Sequence, residues 1–139
     1  MTTSFRDPLI DAFTIRGPYY SFLNNLYETF IPDLLSVKDK DEFLSIKLVE
    51  TLDQETALIY GDAYIYVRKI RNILTHSNKE ITRKEIKDLN KALYILEELH
   101  DYNVDIAPLL IMKKKVQICL KDDSPSYNDI LPPRDYVEN

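Results

Sequence analysis

Residues 67–78 read VRKIRNILTHSN. They close a longer run in which Ile59, Ala63, Tyr66, Ile70, Ile73 and Leu74 recur at helical spacing, which predicts a helix over about residues 54–76. At about 100° per residue, Arg68, Asn72, Thr75 and His76 fall in a band about 100° wide, pointing away from that apolar face. Arg71 sits about 60° beyond Arg68 on the same projection. A helix that is apolar on one side here gathers two guanidiniums, an amide, a hydroxyl and an imidazole on the other.

The flanking sequence repeats the helical pattern. Gly17-Pro18 follows a short lead-in and leaves Pro18 at a favoured first helical position. Phe22, Leu23, Leu26, Tyr27, Phe30 and Leu34 then keep helical spacing, with Pro32 expected to kink or end the helix. Asp39 or Asp41 can cap a second helix through Phe43, Leu44, Leu48, Val49 and Leu52, which can run on into the third. Thr82 and Glu85 form a capping box ahead of Ile86, Leu89, Leu93, Leu96 and Leu99, with His100 in the last turn. Leu109, Met112, Val116 and Cys119 or Leu120 mark a fifth helix. No hairpin signal interrupts these runs. The expected fold is all-α, a four- to five-helix up-and-down bundle over residues 1–121. From residue 122 onward, with Pro125, Pro132 and Pro133, an extended C-terminal tail is expected.

Composition narrows the function classes. The chain has 139 residues, one domain's worth, with 45% apolar and 29% charged residues. Two glycines leave no glycine-rich phosphate loop. A net charge of -5 gives no global pull toward nucleic acid or membrane, so a polyanion would need a local basic patch. Lys113, Lys114 and Lys115 are the densest positive run, with Lys121 nearby. One cysteine, Cys119, in an apolar setting reads as core in a reducing compartment. Neither a leader peptide nor an 18-residue apolar span is present, so an intracellular, cytoplasmic protein with no membrane partner is expected. Two histidines and one cysteine, none at ligand spacing, give no zinc site, and no cofactor is called for.

The polar band carries the parts that RNA phosphodiester cleavage needs. An imidazole can take the proton of a 2′-hydroxyl or return one to the leaving oxygen. An arginine binds a phosphate through parallel N–H donors as its charge rises. An amide one turn from the histidine can orient it or hold a phosphate oxygen. The plain alternative is a solvated helix end where Arg and His meet the C-terminal dipole. Arg68, Thr75 and the lysines 113–115 would extend the site to RNA phosphates, and Tyr64 and Tyr66 could stack bases or simply fill core.

RNILTH, residues 71–76, resembles the Arg-x4-6-His motif of the HEPN superfamily, as does its place near the end of the third long helix of a small bundle. The resemblance covers about residues 18–120, with the specificity carried by the six-residue motif. It implies a metal-independent endoribonuclease with a composite site at a homodimer cleft and 2′,3′-cyclic phosphate products. Arg71 would bind the scissile phosphate, His76 would act as general base or acid, and Asn72 would orient. Contexts in that superfamily include RNA processing, defence and toxin-antitoxin pairs, so an antitoxin or a larger RNA-processing assembly is the protein partner to expect. The toxin branch paired with nucleotidyltransferases commonly carries Tyr two residues after the His. Asn78 stands there and favours another branch.

The sequence therefore predicts an endoribonuclease for single-stranded RNA. The alternative readings are a non-catalytic helical dimerisation or interaction module, and a regulatory domain that binds a nucleotide through the same Arg and His.

Overall fold

Wherever apolar residues recur at helical spacing, the chain is helical. The computed structural model describes residues 5–14, 17–31 and 40–122. The helices are α1 (Arg6–Phe13), α2 (Pro18–Phe30), α3 (Lys40–Thr51), α4 (Gln54–His76), α5 (Arg83–Glu97) and α6 (Ala107–Asp122), with a 3-10 helix at Glu98–Tyr102. No strand occurs among the described residues. The protein is an all-α bundle. No helix among the described residues is long and apolar enough to cross a membrane. The tail expected from residue 122 onward, the cap at Asp39, and the expected Pro32 and Leu34 positions lie outside the described residues, save that α6 runs to Asp122; Asp41 falls inside α3.

The segment before Gly17 is more than a lead-in. It forms α1, and Leu9, Ala12 and Phe13 are buried in the common core. Gly17 follows because the chain passes close to the end of α1: a Cβ there would lie 2.2 Å from the carbonyl oxygen of Asp11. Gly17 then caps α2, and Pro18 opens it with φ already set for helix. Ile31 leaves the helix as the residue before Pro32, a position that disfavours helical ψ.

α3 and α4 are separate helices. Asp53 breaks them by capping α4, accepting from the Thr56 backbone N–H at 2.9 Å and the Thr56 hydroxyl at 2.6 Å. α5 begins with the expected capping box, Glu85 N–H to Thr82 Oγ1 at 3.1 Å and Thr82 N–H to Glu85 Oε1 at 3.0 Å. His100 falls in the 3-10 helix beyond α5, and Asn103 ends it at φ 69, the left-handed region that Asn tolerates.

Side-chain pairs give the helix directions. Tyr60 and Tyr66 of α4 reach Glu98 and Glu85, so α4 and α5 are antiparallel. Gln117 and Lys113 of α6 reach Tyr94 and Glu97, which makes α5 and α6 antiparallel too. Tyr20 and Tyr27 of α2 meet Arg71 and Tyr64, so α2 also runs against α4. Each helix packs on the next in sequence, and α6 closes the bundle against α1 and α2. Cys119 is buried, as its apolar setting predicts. Thr14, Asn90 and Lys113 are the buried polar residues among the described ones, and Asn90, fully buried on α5, has neither amide atom hydrogen-bonded.

Two outcomes follow from these local arrangements. Gly17→Ala should lower the melting temperature by several degrees, because backbone must shift to admit the methyl and overpacking costs about 1–3 kcal/mol. Thermal unfolding by circular dichroism measures it; an unchanged midpoint would mean the α1–α2 turn is loosely held. The Glu85 carboxyl is raised by burial, but the Thr82 hydrogen bonds and the Lys79 and Lys69 charges outweigh that and set it below the ordinary glutamate value. Its contribution is therefore present above the unfolded-state value near 4.5 and is lost as pH falls through the lower folded-state value. Glu85→Gln should flatten the acid limb of the stability profile, read as melting temperature between about pH 5 and 3.

Candidate functional site

α4 carries every motif residue, so its buried face decides where each one points. That face consists of Ala57, Tyr60, Ala63, Tyr64, Val67, Ile70 and Leu74. Its arc is turned relative to the expected one, since Ile59, Tyr66 and Ile73 lie at its edge, half-buried. Arg71, four residues after Val67 and three before Leu74, falls inside the buried arc rather than on the polar side. His76 lies five residues on, about 140° around the helix, on the face turned away from the core. The polar band is thereby split: within one chain Arg71 and His76 do not share a face.

Arg71 is half-buried in a slot made by α2. Its Nη2 donates to the Tyr20 hydroxyl oxygen, and Nη1 donates to Asn72 Oδ1 at 2.8 Å. The guanidinium carbon lies 5.1 Å from the Tyr20 ring centroid and 5.9 Å from that of Tyr19, within cation–π range. The two rings stand edge to face, 5.2 Å apart at 88°. Nε is buried without a hydrogen-bond partner, and no carboxylate among the described residues pairs with this arginine. Asn72 thus holds Arg71, in place of the expected orientation of His76.

His76 is exposed at the end of α4. Its turn is held from outside by Arg6 of α1, whose Nη1 donates to the carbonyls of Ile73 at 3.3 Å and Lys79 at 2.8 Å while Nη2 donates to that of Leu74 at 3.2 Å. A cation there meets the negative end of the helix dipole and ties the last turn, whose Ile73 carbonyl also accepts the Ser77 N–H, to the Lys79 carbonyl beyond it. Arg68 and Thr75 are exposed. Beside His76 runs a groove of about 390 Å³ lined by Ile65, Arg68, Lys69, Asn72, Ile73 and Ser77. Ile65 and Leu58, each 57% exposed, make this outer face of α4 partly apolar.

The lysine run divides. Lys114 and Lys115 are exposed, but Lys113 is 8% exposed, its Nζ donates to Glu97 Oε2, and it sits 3.8 Å from the Tyr94 ring centroid. Lys113 is removed from the expected RNA surface because it shares the buried arc of Leu109, Val116 and Leu120, four, three and seven residues away. Tyr64 is core, its hydroxyl 2.9 Å from that of Tyr27, and Tyr66 is half-buried with its hydroxyl 3.4 Å from the Glu85 carbonyl oxygen, which it meets as a donor. Neither lies open for base stacking. Tyr19, Tyr20 and Arg6 complete the neighbourhood of the motif, and nothing in the sequence pattern links them to it: they are 45 or more positions away along the chain.

No group of three or more His, Cys, Asp or Glu side chains among the described residues is placed to hold a metal ion. Compared with known proteins, the chain matches no protein-family model, no curated protein and no solved structure.

Reversing the Lys113 charge should set a carboxylate against Glu97 in a largely buried place. Lys113→Glu is expected to cost about 2 kcal/mol or more, and Lys114→Glu and Lys115→Glu each about 0.5 kcal/mol or less. Urea unfolding midpoints compare the three directly; equal midpoints would mean the Lys113–Glu97 pair contributes nothing.

Proposed function

We propose that this chain is a metal-independent endoribonuclease of the HEPN type, acting on single-stranded RNA with Arg71 and His76 brought together across a homodimer cleft. The observation that carries the reading is the exposed His76 imidazole, with no partner among the described residues, beside a groove walled by Arg68, Lys69 and Asn72. An imidazole so placed is available to move protons. Because Arg71 lies about 140° around the helix, one chain alone does not present both groups to one phosphate. A second copy that sets its own Arg71 side, rather than the same outer face, against the exposed side of α4 carrying Leu58 and Ile65 would supply the missing approach.

In this reaction one His76 ring nitrogen takes the 2′-hydroxyl proton, and the 2′-oxygen attacks phosphorus. The bond to the 5′-oxygen breaks, and that oxygen takes a proton from the partner's imidazolium. The Arg71 guanidinium offsets the charge that builds on the phosphoryl oxygens. The products are a 2′,3′-cyclic phosphate and a 5′-hydroxyl.

A second reading, a non-catalytic helical interaction module, draws on the engagement of Arg71 by Tyr20 and Asn72, which also ties α4 to α2. The two readings separate on one assay. The purified protein should cut unstructured RNA in EDTA and leave cyclic-phosphate ends, and His76→Ala should slow it at least about 100-fold. Equal cleavage by wild type and variant would overturn the nuclease reading. A stable dimer in light scattering without cleavage would favour the module.

A further inference from the structure

The Arg71 slot on α2 has unused donors. Tyr20 accepts from Arg71 Nη2, and no acceptor among the described residues takes the phenolic proton of Tyr20. The guanidinium has five N–H donors, of which two are engaged, one with Tyr20 and one with Asn72. Its Nε–H, buried, is unpartnered. Arg71 is half-buried, and its surroundings are two aromatic rings, a hydroxyl and an amide rather than an anion among the described residues. The slot therefore holds a fixed positive charge with a spare phenolic O–H beside it and, among the described residues, no paired carboxylate.

We propose that Tyr20, with Arg71, forms a phosphate-binding site in which the Tyr20 hydroxyl is the second donor to the same phosphoryl group. This rests on the phosphate-binding role of Arg71 proposed above and adds a residue from a different helix that the motif does not include. Tyr20 performs two tasks through one oxygen. As acceptor it fixes the guanidinium, helped by the ring contacts and by Asn72; as donor it completes a two-point cradle for a tetrahedral anion. Phe at position 20 would keep the ring against Arg71 and remove both tasks of the hydroxyl. The ligand class is a phosphate mono- or diester, with the backbone of a single-stranded oligonucleotide as its extended form.

The test uses a single-stranded oligodeoxynucleotide, which lacks the 2′-hydroxyl and is not cleaved, and inorganic phosphate as the minimal probe. In ¹⁵N-labelled protein the Arg71 Nε–H resonance, assigned by its loss in Arg71→Lys, should shift on titration with either probe. Tyr20→Phe should weaken oligodeoxynucleotide binding about tenfold, the low end for a hydrogen bond to a charged group, while its melting temperature stays near wild type. Equal affinity of wild type and Tyr20→Phe would overturn the proposal, leaving Tyr20 as packing. If Tyr20→Phe does not fold, the wild type still decides: an Arg71 Nε–H resonance unmoved at saturation overturns the site. Failure of the nuclease reading looks different, since RNA would remain uncut while Tyr20-dependent binding of the oligodeoxynucleotide persists.

Discussion

The guanidinium of Arg71, seated against Tyr19 and Tyr20, is the interaction on which the arrangement of α4 depends. A charged side chain inside the buried arc of a helix needs hydrogen-bond partners and polarisable neighbours. α2 supplies both, and it can do so only because the Gly17 turn brings its first residues up against the end of α1. The apolar arc of α4 sets its rotation, and the Arg71 contact fits that rotation, with His76 on the side turned away from the core.

α4 is also secured at both ends and along its length by polar contacts of specific geometry. Asp53 caps its start, Arg6 takes carbonyls at its end, and the hydroxyls of Tyr60, Tyr64 and Tyr66 are met by Glu98, Tyr27 and the Glu85 carbonyl. Tyr27, Tyr60, Tyr64 and Tyr66 are used this way. The ring fills core while the hydroxyl finds a partner on the neighbouring helix, so each tyrosine fixes a register as well as a volume. Burial and the nearby Glu98 carboxylate hold the Tyr60 hydroxyl well above the usual tyrosine range, so it remains a donor.

In the proposed nuclease, such fixation would divide two tasks on one helix. The inner side holds a positively charged group fixed by Tyr20 and Asn72, which in that proposal would lower the reorganisation needed as charge develops on phosphate. The outer side leaves an imidazole in water, near cationic and apolar side chains that suit an approaching surface. Under that proposal, joining the two would require a second surface.

The sequence by itself determined the helices. The α2 start at Pro18, the Thr82–Glu85 capping box, the buried Cys119 and the α6 stripe were all legible, because caps and 3.6-residue spacing are local properties. It did not reveal α1, which at eight residues is too short for its period to stand out, and it left open whether α3 and α4 are one helix, which the Asp53 cap decides. Above all it misplaced Arg71 and Lys113. Their position on a buried arc is legible once tyrosines count as core on α4 and Leu120 joins the stripe of α6, but their partners lie elsewhere in the chain. Only tertiary structure decided those partners, since the contact of Tyr20 with Arg71 spans 51 positions and that of Lys113 with Glu97 spans two helices. Local periodicity tells which residues share a face; packing decides which face is turned inward and which charges it carries with it.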